Sequence, residues 1–349
     1  MTDSESHTES PPIIQGIYEA CIGVDDLQSQ IDYWSSFGYQ VSARGQLDAD
    51  QAQRLYGVRS ALESAHLTHQ EADHGLIRLM RWEEPTGLGT GLAPMRARGG
   101  RWVATLTEDI MRLMNHAHLT RAQGKPIYAV PPQWAVIYQP ETEVTPFKEP
   151  LVGIREMFLG QPLTRQILFQ RFNYKIHTYG QINQEALFKT SQVTHFGLIV
   201  QSDDPEITSF YEETLGLMFV RKVEDTYEKS EAGRVIFDLK PGERYFSTDY
   251  DDPRSDRDDY TKARSGRLKV IRFESAYPLH EGEYARPGDL GLTLYTLRVS
   301  DLSAYHERLT ASEATHVSEL CVDEFGARAF SFRSPDGYDW TLIEDLHMT

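Results

Sequence analysis

Three side chains have the types and settings that chemistry requires. His195 heads the strand-like stretch THFGLIV, Glu19 sits inside IYEACIGV, and Glu156 sits inside GIREMFL. An imidazole titrates near neutral pH, so it can carry a proton or ligate a metal. A carboxylate inside an apolar strand must find a partner or hold its proton more tightly. One imidazole and two carboxylates would supply a mixed nitrogen–oxygen metal site or an acid–base pair. Each also has a plainer reading. His195 would be a core histidine bonded to backbone. Glu19 would pair with an inward Arg81 or Arg155, and Glu156 with its neighbour Arg155.

Other candidates for chemistry fall away. His116 and His118 are two apart on a helix and point in different directions, so they read as solvated. His66, His69 and His74 lie in a polar connection without a carboxylate pattern. DYDDPRSDRDD, residues 249–259, has the composition of a calcium loop but lacks its glycine and closing glutamate; it reads as a solvated loop or lid. GLGTGLAPMRARGG, residues 87–100, leads into a strand rather than a helix, so it is a linker and not a dinucleotide loop. No GxSxG, CxxC or HExxH is present.

Composition narrows the partners. A net charge of −17 argues against nucleic acid. No apolar run is long enough to span a bilayer, so no membrane partner is expected. Two cysteines, Cys21 and Cys321, make no disulfide framework and are expected to be reduced and buried, which fits the cytoplasm. The opening MTDSESHTESPP has no apolar segment and reads as a disordered tail, residues 1–12.

The elements that would position these residues repeat. HFGLIV is a strand; Ser202-Asp203-Asp204 opens a helix carrying Ile207, Phe210, Tyr211 and Leu215; Gly216 stops it; LMFVRKV resumes as strand. The same order occurs with Asp25-Asp26 and Gly38, with Asp109 and Gly124, and with Asp301. Strand-like runs follow each copy: GLIRLMRW, GIREMFL, GRLKVIRF and ARAFSFRSPDGYDWTLIE. The unit is βαβββ, repeated four times in an α+β chain. GLIRLMRWEE also matches GRLKVIRFES, each after a polar stretch, which suggests a duplicated two-module domain. The expected halves are residues 13–175 and 190–349, joined near FNYKIHTYGQINQEALFKTSQ. Paired modules would form two cupped sheets, each with a hollow for a ligand.

This layout resembles the vicinal oxygen chelate superfamily of glyoxalase I, extradiol dioxygenases and bleomycin-resistance proteins. The resemblance is sharpest at HFGLIV…SFYEETLG and FGARAFSFRSPDGYDW. It implies metal ligands on the first and fourth strands of each module. Carried onto this sequence, the first-strand places are Glu19, Trp102, His195 and Leu294. The fourth-strand places are Glu156 in module two and Thr341 in module four, with Glu344 three residues on. Modules one and three offer Leu79 or Arg81, and Val270 or Arg272. Leu294 and Thr341 rule out an extradiol iron site in the C-terminal half. The resemblance implies a lyase, isomerase or ring-opening dioxygenase acting on a small organic molecule with adjacent oxygens. Glu19 and His195 would be catalytic, and Glu19, Glu156 and His195 would hold a divalent metal (iron, zinc, nickel or manganese). Tyr18 and Trp102 would line the substrate pocket, and one half would be degenerate. The alternative is a metal-free sequestration protein, favoured by the missing ligands. A homodimer is compatible with either.

Overall fold

The computed structural model describes residues 13–138 and 152–345; the expected tail at 1–12 lies outside them. The first module runs β1 (Ile14–Gly23), α1 (Leu27–Ser35), β2 (Tyr39–Leu47), α2 (Ala49–Tyr56), β3 (Leu62–His69) and β4 (Leu76–Trp82). The second runs β5 (Arg101–Thr107), α3 (Ile110–Ala122), β6 (Tyr128–Tyr138), β7 (Val152–Gly160) and β8 (Arg165–Phe172). The third runs β9 (Thr190–Gln201), α4 (Phe210–Glu213), β10 (Met218–Thr226), α5 (Glu231–Ile236), β11 (Arg244–Asp251) and β12 (Arg267–Phe273). The fourth runs β13 (Gly291–Val299), α6 (Leu302–Thr310), β14 (Cys321–Val322), β15 (Arg328–Arg333) and β16 (Asp339–Glu344).

The capping signals work as read in three modules. Asp26, Asp109 and Asp301 accept the backbone N–H groups of Ser29, Arg112 and Ala304, satisfying donors that a helix start leaves open. Gly38, Gly124 and Gly216 take positive φ, as helix-stopping glycines do. The third module departs from expectation. Its helix is only Phe210–Glu213. Ser202 Oγ accepts from the Asp204 N–H and Asp204 Oδ1 from the Glu206 N–H, and these local bonds hold a turn where a helix was expected.

Two eight-stranded sheets form. Their strand orders are β14-β15-β16-β13-β1-β4-β3-β2 and β10-β11-β12-β9-β5-β8-β7-β6. The outer modules, one and four, share the first sheet through antiparallel β1 and β13. The inner modules share the second through antiparallel β5 and β9. Each sheet therefore draws one module from residues 13–175 and one from 190–349, so those halves describe chain order rather than sheets. Antiparallel first strands meet edge to edge, and this join closes the row of unpaired backbone groups that each module alone would expose.

The two sheets share one core, in which Ala20, Ile22, Val103, Phe196, Leu198, Tyr295 and Trp340 are buried. Tyr295 ties them together by donating to the carbonyls of Trp102 and Gly197. The other face of each sheet forms a hollow, and each hollow is filled in part by a helix. In the outer hollow, α2 packs Ala52, Leu55 and Tyr56 against Cys21, Met80 and Leu294. In the inner hollow, α5 and the residues after it pack Ile236, Phe237 and Leu239 against Trp102, Phe158 and Phe273. Both helices are inserted between the second and third strands, one in module one and one in module three. The match between GLIRLMRWEE and GRLKVIRFES is thus accompanied by a shared helical insert.

Two smaller readings are corrected. His66 and His69 lie on β3, not in a connection, because Leu62, Ala65 and Leu67 anchor that stretch in the core. Asp249, Asp251 and Asp252 are buried rather than solvated, since Arg221, Arg267, Lys269 and Arg254 neutralise them. Cys21 is buried and Cys321 partly buried, both as free thiols.

Candidate functional site

The outer hollow is organised around Arg78. Its side chain is 2% exposed and lies 2.6 Å from Glu19 Oε1, 3.1 Å from Asp323 Oδ2 and 3.1 Å from Glu324 Oε2. Glu324 also accepts from Ser64 Oγ at 2.7 Å and Tyr56 Oη at 2.9 Å. Burial alone would raise the Glu19 pKa. Arg78 and then His66 outweigh it and hold the carboxyl down to about 2, so Glu19 is ionised. Its second oxygen lies 3.3 Å from His66 Nε2. His66 in turn meets Tyr18 Oη at 3.1 Å and Ser42 Oγ at 2.8 Å. A cavity of about 340 Å³ opens here, with Tyr18, His66, Arg298, Asp323 and Phe325 in its wall.

The inner hollow is built differently. Glu156 on β7 stands opposite Phe169 on β8, and residues opposite one another face the same side of a sheet. The Phe169 ring meets His195 edge-on with centroids 5.6 Å apart. Glu156 and His195, from different halves of the chain, therefore look into one hollow. Lys269 on β12 acts electrostatically on both. Burial pushes the Glu156 carboxyl above its usual range; Lys269 opposes this and Asp225 adds to it. Burial, then Arg267 and Lys269, hold His195 well below its usual range, so the imidazole is neutral at pH 7.

The tautomer of His195 follows from its partners. Thr194 Oγ1 gives its proton to the Ala104 carbonyl at 3.1 Å, so at 3.0 Å it can only accept from His195 Nδ1–H. His195 Nε2 then accepts from Tyr179 Oη at 2.7 Å. Tyr179 belongs to the segment joining β8 and β9. That segment is thus part of the site as well as a linker.

Trp102 lies in the same hollow, 4% exposed. Its ring occupies the space above Gly197, where a Cβ would fall 1.7 Å from Trp102 Cε2. Only glycine lets the indole lie there. Its Nε1–H is buried without a hydrogen-bond partner among the described residues. A buried donor without a partner is one that a bound oxygen would satisfy.

The structure turns Glu156, His195 and Trp102 to one hollow and places Glu19 and Tyr18 in the other. One position shifts relative to the resemblance: Glu156 is on the third strand of its module, not the fourth. Residues that sequence reasoning passed over include Arg78, Glu324, Tyr179 and Lys269. An arginine or lysine inside an apolar strand, as in GLIRLM and GRLKVI, was the available signal, because such a charge must be paired.

A divalent cation fits neither hollow well. In the outer one a guanidinium already occupies the centre of the carboxylates. In the inner one the carboxylates nearest His195, Asp249 and Asp251, are already paired with Lys269 and Arg267. Among the described residues no group of three His, Cys, Asp or Glu converges as a metal site would need.

Comparison with known proteins agrees with the architecture. Residues 192–342 match the Glyoxalase/Bleomycin resistance protein/Dioxygenase superfamily. That match spans modules three and four, which lie in different sheets. No curated protein matches the sequence. Among solved structures, the chain is similar to glyoxalase I from Zea mays, with 14% identity over 95% of this chain and 93% of that one and a TM-score of 0.53. A putative dioxygenase from Bacillus subtilis is similar at 12% identity, over 95% and 86% of the two chains, with a TM-score of 0.52. At these identities the likeness is one of fold.

Proposed function

We propose, for a chain whose residues 192–342 belong to the glyoxalase/bleomycin resistance/dioxygenase superfamily and whose four modules share its fold, that the inner hollow is an acid–base site. Its substrate would be a small organic molecule with an apolar body and a carbonyl beside a second oxygen. The observation that carries this reading is that Glu156 on β7 and His195 on β9 face one hollow across the β5–β9 join, both within electrostatic reach of Lys269. Among the described residues neither is locked in an ion pair, unlike Glu19.

The chemistry follows from the charges. A carboxylate made more basic by burial is matched to taking a proton from carbon next to a carbonyl. The negative charge that develops moves to the carbonyl oxygen. Lys269 supplies positive charge nearby, and Trp102 Nε1–H can donate to an oxygen. Glu156, now carrying that proton, can return it to the neighbouring carbon, and Tyr179 with the neutral His195 forms a hydrogen-bonded pair in the same hollow. The outcome is isomerisation, or elimination where the substrate carries a leaving group. No step here needs a metal.

The test is deuterium uptake from D2O into 2-hydroxyacetophenone, followed by NMR. The wild type should catalyse exchange of the C–H beside the carbonyl. Glu156→Gln should lower the rate by about 10²–10⁴-fold while the protein stays folded. Equal rates in wild type and variant would overturn the reading. The aromatic lining of Trp102, Phe158 and Phe169 favours a second reading, a binding protein. That reading would be supported by tight binding of the ketone without exchange.

A further inference from the structure

We propose that the end of the inner hollow where β5 and β8 begin is an anion site, in which Arg165 and Trp102 take the carboxylate of a small organic acid with an apolar body. It shares Trp102 with the acid–base reading but does not depend on that reading. Register brings the two residues together. β5 and β8 are parallel, and Val103 stands opposite Gln166. Trp102 and Arg165 each precede that pair by one residue, so they are neighbours. They share the face of Ala104 and Ile167, which pack in the inner hollow.

Arg165 is a buried charge without a countercharge. It is 3% exposed. Among the described residues its Nε and Nη1 have no hydrogen-bond partner, while Nη2 donates to the Pro94 carbonyl. Burial pushes its pKa down to about 10, so it is still a cation at pH 7. The groups that oppose this shift are the hydroxyls of Tyr338 and Tyr295, not a carboxylate. Both hydroxyls already donate to backbone, Tyr338 to the Ile199 carbonyl at 2.7 Å and Tyr295 to those of Trp102 and Gly197. Tyr295 also feels Arg101, and the carboxylate that acts on Arg101, Asp339, is held by Arg286 at 2.9 Å and Arg333 at 3.0 Å. This end of the hollow therefore carries surplus positive charge. Arg78 in the outer hollow has three carboxylates around it; a cation buried without any is costly until an anion completes it.

The surroundings choose the kind of anion. With Trp102 Nε1–H, three N–H groups on neighbouring side chains are open to an oxygen. A Cβ on Gly100 would stand 2.6 Å from Arg165 Nη1, so glycine keeps that side of the guanidinium clear. Met95, Phe158 and Ile167 make the walls apolar, and the guanidinium lies 5.9 Å from the centre of the Phe158 ring. Charged donors between apolar walls favour a carboxylate that brings an apolar body over a small, strongly hydrated one.

The test is titration calorimetry with benzoate in chloride-free buffer, beside the melting temperature. The wild type should bind benzoate at a single site and melt about 2 °C higher at ten times the Kd. Arg165→Met removes the unpaired charge. Without benzoate it should melt no lower than the wild type, and it should bind benzoate at least about tenfold more weakly. Trp102→Phe should bind it roughly 2–10-fold more weakly. Benzoate binding and deuterium exchange are separate readouts: a wild type that binds benzoate but does not exchange the ketone keeps this site and loses only the acid–base reading. No benzoate binding by the wild type, equal binding by Arg165→Met, or acetate bound as tightly as benzoate would overturn the proposal. Should Arg165→Met not fold, unchanged affinity in Trp102→Phe overturns it as well.

Discussion

The two hollows have one architecture and opposite charge logic. In each, a module from either half meets its partner through antiparallel first strands, and an inserted helix fills part of the concave face. In the outer hollow the charge in the middle is an arginine, and the acids around it are fixed by it. In the inner hollow the acid and the imidazole face the space, while cations stand beside them. The difference teaches that a duplicated scaffold sets places, not chemistry. Glu19 and His195 hold corresponding places on their first strands. One became the base of an ion-pair cluster and the other a neutral ring bonded to a tyrosine.

The largest effect should come from removing the central charge. Arg78→Met leaves Glu19, Asp323 and Glu324 buried without their shared cation. Breaking one buried pair costs about 3–5 kcal/mol, and here three contacts go at once. Urea unfolding should show a loss at least that large, or an unfolded protein. Lys269→Met is the matched change in the inner hollow. Asp249 would keep Arg221 at 2.8 Å and Arg267 at 3.5 Å, so about 1–2 kcal/mol is expected. Equal losses in the two variants would break the contrast.

Acid should separate the hollows by sign. The folded-state pKa of Glu19 is lowered from 4.5 to about 2. Its contribution is then fully present above pH 4.5 and fades as pH falls toward 2, and is worth on the order of 3 kcal/mol. Glu19→Gln should therefore be destabilised at pH 7 and approach the wild type in acid. The folded-state pKa of Glu156 is raised, so its ionised form opposes folding at pH above that value. Glu156→Gln should be slightly more stable than wild type at neutral pH, with the gain vanishing below pH 4.5. Stability curves of both variants from pH 3 to 8 would show opposite slopes. Parallel slopes would mean that the two acids sit in like environments.

Much of this was legible in the sequence, for reasons that differ by level. Strand–helix–strand order is a local matter of periodicity and capping, so Asp26, Asp109 and Asp301 could be read directly. The candidate acids were visible because a glutamate inside IYEACIGV or GIREMFL breaks an apolar pattern. Module pairing was not legible, since it depends on contacts between β1 and β13 or β5 and β9, far apart in the chain. That pairing decides which residues meet. It turned Glu156 and His195 to one hollow and gave Glu19 to Arg78. His66 was missed because Ser42, Tyr18 and Glu19 reach it only once β1, β2 and β3 lie in one sheet.

The smallest effect tests the hollows through a single hydrogen. Trp82 and Trp102 are both buried, one in each hollow, and both have an indole N–H without a partner among the described residues. Replacing either by phenylalanine removes an unpaired donor and some packing, two terms of opposite sign. Each variant should unfold within about 1 kcal/mol of the wild type. Binding should tell them apart. If Trp102 donates to the ligand, Trp102→Phe loses about 0.5–1.5 kcal/mol, or roughly 2–10-fold in affinity for 2-hydroxyacetophenone by titration calorimetry. Trp82→Phe should leave that affinity unchanged, because Trp82 packs against Tyr56 in the outer hollow. A loss in Trp82→Phe and none in Trp102→Phe would move the ketone from the inner hollow to the outer.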